Sequence, residues 1–206
     1  MIRRSRYGVF VALAVACLAG GCRVRIERPD TLPTRMIEPR LVEPQGVAAA
    51  APDATSVRLL ETQGRAHIGR RVLHQQPGGE LTEDPVWLWA TTPDRYLDSA
   101  VRYAIGSSPD IRLVDVGSSA SLAVTLVVWQ IEAAPSPRLV GAVEIQVTTI
   151  ERAVHSEIIR AEEPIAAELP GDLAAAAGRL LGRIAAECLS RVMHQAHEAD
   201  VPAPDL

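Results

Sequence analysis

The strictest alternation in the chain lies at Val143, Ile145 and Val147, which are apolar, with Glu144, Gln146 and Thr148 polar between them. That period of two predicts a strand with one buried and one wet face. Leu122 to Ile131 is apolar on both faces, as a central strand would be. The loop Ala133-Ala134-Pro135-Ser136-Pro137-Arg138 is short enough to join the two as an antiparallel hairpin, and Val154 to Arg160 predicts a third strand of the meander. Upstream, Val57 to Leu60 and Arg71 to Gln75 read as short strands. Pro77-Gly78-Gly79 marks a turn that can return through Glu80-Leu81-Thr82, and Ile111 to Val114 predicts one more strand.

Two stretches switch to helical spacing. Thr92-Pro93-Asp94 carries a capping residue, a proline suited to the first helical position and an acid for the positive end of the dipole. Leu97, Ala100, Val101, Ala104 and Ile105 follow on one face, and Gly106 predicts the stop. Pro170-Gly171-Asp172 opens a longer helix with a stripe of Leu173, Ala177, Leu180, Ile184, Cys188 and Val192. The order β–β–β–α–β–β–β–β–α predicts a single α+β domain over residues 56–197, a largely antiparallel sheet with two helices packed on one face. Trp87 and Trp89, two apart, share a face if the chain is extended there.

The flanks read differently. Pro29, Pro33, Pro39, Pro44 and Pro52 interrupt any helix between residues 22 and 55, which predicts a semi-extended tether. The tail at 198–206, with Pro202 and Pro204, is expected to be disordered. At the start, Arg3, Arg4 and Arg6 precede an apolar run from Gly8 to Leu18, then Ala19-Gly20-Gly21 and Cys22. This is the pattern of an export signal over residues 1–21. Its apolar run falls well short of the roughly 20 residues a transmembrane helix needs.

Leu18-Ala19-Gly20-Gly21-Cys22 resembles the bacterial lipobox, with Ala19 where the pattern prefers leucine. The resemblance implies cleavage after Gly21 and acylation, of the palmitate type, on the Cys22 thiol. Leu13-Ala14-Val15-Ala16-Cys17 is a rival box that would leave a stunted apolar run, and plain secretion is the bland alternative. Arg23, rather than an aspartate, follows Cys22, so the expected destination is the periplasmic face of the outer membrane. Cys188 is then the only thiol left and has no disulfide partner; its place on a packing stripe argues against a nucleophile.

Charge adds an exclusion. Of 21 basic and 25 acidic residues, three arginines and no acids belong to residues 1–21, so the mature chain carries 18 − 25 = −7. An acidic chain without a basic cluster argues against a nucleic-acid surface. Every basic residue is arginine, a bias a GC-rich genome explains as well as any function. No phosphate loop, GxSxG elbow, HExxH or paired-cysteine motif occurs, and no cofactor is implied. His194 and His197 could meet one metal, but without a ligating partner at fixed spacing they read as a solvated helix end, and His67, His74 and His155 are scattered. Glu162-Glu163 reads as a loop charge pair. Trp87 and Trp89 are candidates for an apolar contact with a lipid or partner protein, with core packing as the alternative, while Trp129 in the strongest strand belongs to the core.

The stretch from Arg65-Ala66-His67-Ile68-Gly69-Arg70-Arg71-Val72-Leu73-His74 onward resembles the ABC-type transport auxiliary lipoprotein family. Glu80-Leu81, Trp87 or Trp89, Pro93, Tyr96-Leu97, the strands Leu122 to Ile131 and Val140 to Ile150, and the alanine-rich last helix follow in that family's order, over residues 56–195. The family's tyrosine–leucine strand after the lipidated cysteine is replaced by the proline-rich stretch. Its arginine before the tryptophan is absent, since Val86 precedes Trp87 and Leu88 precedes Trp89. The resemblance implies a non-catalytic accessory of an MCE-type ABC transporter that moves lipids between membranes. Its partners would be an MCE-type protein and the transporter, a phospholipid ligand, and copies of itself in a homo-oligomer. The rival expectation is a structural adaptor of another envelope assembly, for secretion or polysaccharide export.

Overall fold

The apolar run at Leu122 to Ile131 becomes the central strand of a nine-stranded sheet, Ala120–Glu132 (β7). The computed structural model describes residues 32–41, 49–133, 135–150, 154–166 and 170–199, and the elements below belong to the unit Pro33–Leu206. On one side β7 pairs antiparallel along its length with Arg138–Thr149 (β8), which pairs antiparallel with Val154–Pro164 (β9). This is the expected meander. A register shift between Leu126 and Val128 is a bulge in β7, so inward-facing residues pass from Leu122, Val124 and Leu126 to Trp129.

On its other side β7 meets three short strands in succession, Thr55–Leu59 (β2), Gln63–Gly64 (β3) and Arg71–Gln75 (β4), all parallel to it. Beyond β2 lies Ile111–Leu113 (β6), again parallel. Beyond β4 lies Leu81–Trp89 (β5), antiparallel, and then Arg35–Ile37 (β1), parallel to β5. The sheet is therefore mixed rather than largely antiparallel. Alternation looks the same in a parallel and an antiparallel strand, so the pattern could not give direction.

The helices fall where their periodicity predicts: Pro93–Ser107 (α1) and Pro170–Ala199 (α2). Thr92 holds the N-cap position through its backbone alone, its carbonyl accepting from Arg95 N at 3.0 Å, and its hydroxyl makes no cap bond. Gly106 lies inside α1, which closes at Ser107. The α2 stripe from Leu173 through Ala177, Leu180, Ile184 and Cys188 to Val192 is buried against β8 and β9 and against α1. Gly141 in β8 lets α2 approach closely: a β-carbon there would stand 3.0 Å from Ile184 and 3.2 Å from Leu180.

The segment 22–55, read as a tether, contributes structure to the domain. Ile37 of β1 is buried, Leu41 packs against the core, and Arg40 N donates to Ala174 O of α2 at 3.1 Å. Three residues of strand are too few to announce themselves among prolines.

Candidate functional site

At the C-terminal end of β7 the sheet and α2 part to leave a cleft of about 80 Å³. Ile37, Val72, Trp87 and Ile131 line its sheet side, Pro170 and Leu173 its helix side, and Pro137 and Ile165 close it between them. Its polar wall is His74 and Asp84. The sequence sets this wall locally. Pro85 has no N–H to give the β4–β5 ladder, and the register slips between Arg71 and Leu73. Asp84 fills the gap: its Oδ1 accepts from the N–H groups of Val86 and Trp87, both at 2.8 Å.

The other Asp84 oxygen lies 3.0 Å from His74 Nε2. Burial pushes the Asp84 carboxyl up, but the N–H groups of Trp87 and Val86 and the His74 ring outweigh it and hold it below the ordinary aspartate value. An ionised carboxylate only accepts, so His74 donates through Nε2. The pair is oriented as a base and its support would be, yet among the described residues no serine, threonine or cysteine lines the cleft for it to activate. What remains is an apolar slot with one anchored polar wall.

The residues singled out from sequence divide around this slot. Cys22 and Gly21 lie outside the described residues. Trp87 is half-buried at the cleft, and the Arg35 guanidinium lies over its ring, 5.5 Å from the centroid. Trp89 is not available as a contact surface. It is 1% exposed and meets Trp129 edge-on, centroids 5.8 Å apart and planes at 62°. The core alternative holds for Trp89 because Ile37 of β1 covers its end of β5, the strand that sequence analysis missed.

The ionisable groups sort as follows. His194 stands 3.3 Å from Glu198 on α2 with both side chains mostly exposed, and no described group of three metal-ligating side chains is placed to hold an ion. Cys188 is fully buried, and burial pushes its thiol up to about 12. Glu162 and Glu163 belong to β9 rather than a loop. Glu163 faces α2, where Arg179 Nε and Arg183 Nη1 donate to it at 3.0 and 2.8 Å. His74 and Asp84 are the pair that sequence reading missed. A hairpin centred on Gly78 sets His74 opposite Thr82, and Asp84 is then its diagonal neighbour, so the turn held the signal.

No family model and no curated protein matches the chain. Among solved structures, a Xanthomonas campestris protein of the DUF330 family superposes with a TM-score of 0.65 at 16% identity, over 82% of this chain and 99% of that one. A second, an uncharacterized protein, gives 0.58 at 13% identity, over 82% and 99%. The likeness lies in the fold. It spans nearly the whole of both structures and agrees with the single α+β domain described above.

Proposed function

We propose that this chain is a lipid-anchored, non-catalytic accessory protein of an MCE-type ABC system that moves lipids between membranes, held at the outer membrane through Cys22. The observation that carries the non-catalytic part is the cleft itself. At about 80 Å³ this cleft is far below the roughly 300–1,000 Å³ of small-molecule sites, its described lining offers no nucleophile, and the wider surface hollows, of about 270 to 430 Å³, bring no nucleophile and base together among the described residues. It admits one side chain or the end of an acyl chain, but not a whole phospholipid. Such a slot suits docking onto a partner rather than carrying cargo.

The lipobox at Leu18 to Cys22 supports the anchor, and Arg23 supports outer-membrane sorting. The family resemblance over residues 56–195 supports the MCE system, its ABC transporter and a homo-oligomeric form. The test is a pull-down of the acylated protein from its own envelope, analysed for protein and lipid. An MCE-type protein should co-purify, and Ile131→Trp, which fills the slot, should reduce its recovery. Recovery of secretion or polysaccharide-export components instead would transfer the chain to the structural-adaptor class.

A further inference from the structure

We propose that the corner of the sheet where β1 meets the Trp87 end of β5 rests on the anionic leaflet that holds the lipid anchor. The proposal depends on the reading that Cys22 is acylated. Among the described residues β1 is an edge strand, paired with β5 and with no other. Its register sets Arg35 beside Trp87, with the guanidinium over the indole at 5.5 Å. On the opposite face Met36 is 65% exposed. Arg70 reaches the Met36 sulfur at 4.0 Å while its Nε donates to Trp89 O at 3.1 Å. An exposed thioether and a half-buried indole, each flanked by a guanidinium, match the side chains that settle where headgroups meet acyl chains.

Charge allows this corner to meet the leaflet. The mature chain carries 18 − 25 = −7, so an anionic leaflet repels the molecule as a whole. Neither Arg35 nor Arg70 has a carboxylate ion-pair partner among the described residues. The acids nearby on β5 are already engaged, Glu83 with Arg71 at 3.1 Å and Asp84 with His74 at 3.0 Å. Arg40, Arg58, Arg65, Arg95 and Arg112 share that unpaired state, so it is the placing of Arg35 and Arg70 beside Trp87 and Met36, on the strand that follows the anchor, that lets this corner face anionic lipid.

Chain length agrees. From Cys22 to Pro33 there are 33 − 22 = 11 residue steps, two residues short of Arg35. At no more than about 3.6 Å each, these steps span at most about 40 Å. Of the described domain, this corner is therefore covalently the part closest to the acylated residue.

The experiment uses the acylated full chain in vesicles of phosphatidylethanolamine and phosphatidylglycerol containing lipids brominated near the headgroup, read by tryptophan fluorescence. Trp89 and Trp129 are enclosed, so quenching reports on Trp87. Quenching should occur, vanish in Trp87→Phe, and fall in Met36→Asp. For the unacylated mature chain, which carries Cys22→Ser and lacks residues 1–21, reversing both arginines (Arg35→Glu with Arg70→Glu) should weaken partitioning into the same vesicles on the order of tenfold. An acylated chain, its lipid on Cys22 confirmed by mass, whose tryptophans stay unquenched overturns the proposal and assigns the corner to a protein partner or a second copy. A chain with no lipid on Cys22 overturns the anchored reading as well, and the mass measurement tells the two failures apart.

Discussion

The backbone of Arg40 crosses α2 against Gly178, where any β-carbon would overlap the Arg40 carbonyl. Gly178→Ala should therefore destabilise the domain by about 1–3 kcal/mol, since backbone rather than a flexible side chain has to move. Gly182, one turn on, has nothing within 4 Å of a built β-carbon. Gly182→Ala should be neutral, or stabilising by up to about 1 kcal/mol through helix propensity. Urea denaturation of the two variants checks the contrast; equal effects would mean that the crossing is not close.

The same crossing changes what a deletion should do. Read as a tether, Arg28 to Pro52 could be removed without harm to the fold. In the structure that deletion takes away β1, the buried Ile37 and the Arg40–Ala174 hydrogen bond. A loss of at least about 2 kcal/mol is expected, from the burial of one large side chain alone. A thermal melt of the deleted chain that matches the parent would return the segment to the role of spacer.

Core and surface should separate clearly. Leu180→Ala or Ile184→Ala should each cost roughly 2–5 kcal/mol, because both side chains are fully enclosed. Glu144→Gln, on the wet face of β8, should stay within about 0.5 kcal/mol. The comparison is made by chemical denaturation under one set of conditions.

Glu163 ties stability to acid. Burial pushes its carboxyl up, but Arg183 and Arg179 outweigh burial and hold it below the ordinary value of 4.5. With the folded value depressed, the contribution is complete above the unfolded value and disappears as pH falls through the folded one. Glu163→Gln should cost about 1–2 kcal/mol at neutral pH, the half-exposed arginines limiting the loss. The gap between the variant and the parent should close as pH falls below about 4.5. A gap independent of pH from 7 to 3 would assign the loss to packing.

Two cysteines should behave in opposite ways. Cys188, enclosed and with its thiol pushed up to about 12, should resist a maleimide at pH 7 until the chain is unfolded. Cys22→Ser should abolish acylation and processing, whereas Cys17→Ser should leave both nearly intact. Intact-mass measurement decides each case. In the same strains, His194→Ala with His197→Ala should leave envelope function unchanged, as expected of a solvated helix end.

Most elements were legible because burial imposes periodicity. The α2 stripe, the β7–β8–β9 meander and the β4–β5 turn all lie where hydrophobic spacing and turn residues put them. Outside that meander and the β4–β5 hairpin, direction and partner choice were not legible. β2, β3 and β4 run parallel to β7 because of where the chain crosses, and no local pattern records that. The site was half legible: Trp87 stood out by its rarity, while His74 and Asp84 looked unrelated until the bulge at Pro85 turned the carboxylate back. Trp89 was left open between surface and core because its cover, Ile37, comes from a strand of three residues.

The three short strands beside β7 also set a timetable. β2, β3 and β4 hydrogen-bond to residues 120–132, some fifty to seventy positions later in the chain. A polypeptide that emerges amino end first therefore presents these segments long before their scaffold exists. The meander, by contrast, closes between neighbours in sequence. Long-range pairings of this kind form slowly. Pulse-labelled hydrogen exchange should accordingly protect amides of β7, β8 and β9 before those of β1 to β4; the reverse order would refute this sequence of events. Until Glu132 has appeared, β2, β3 and β4 lack the strand that joins them, and only β1, β4 and β5, or β2 and β6, can pair among themselves. The open edges of those strands are exposed to aggregation until then.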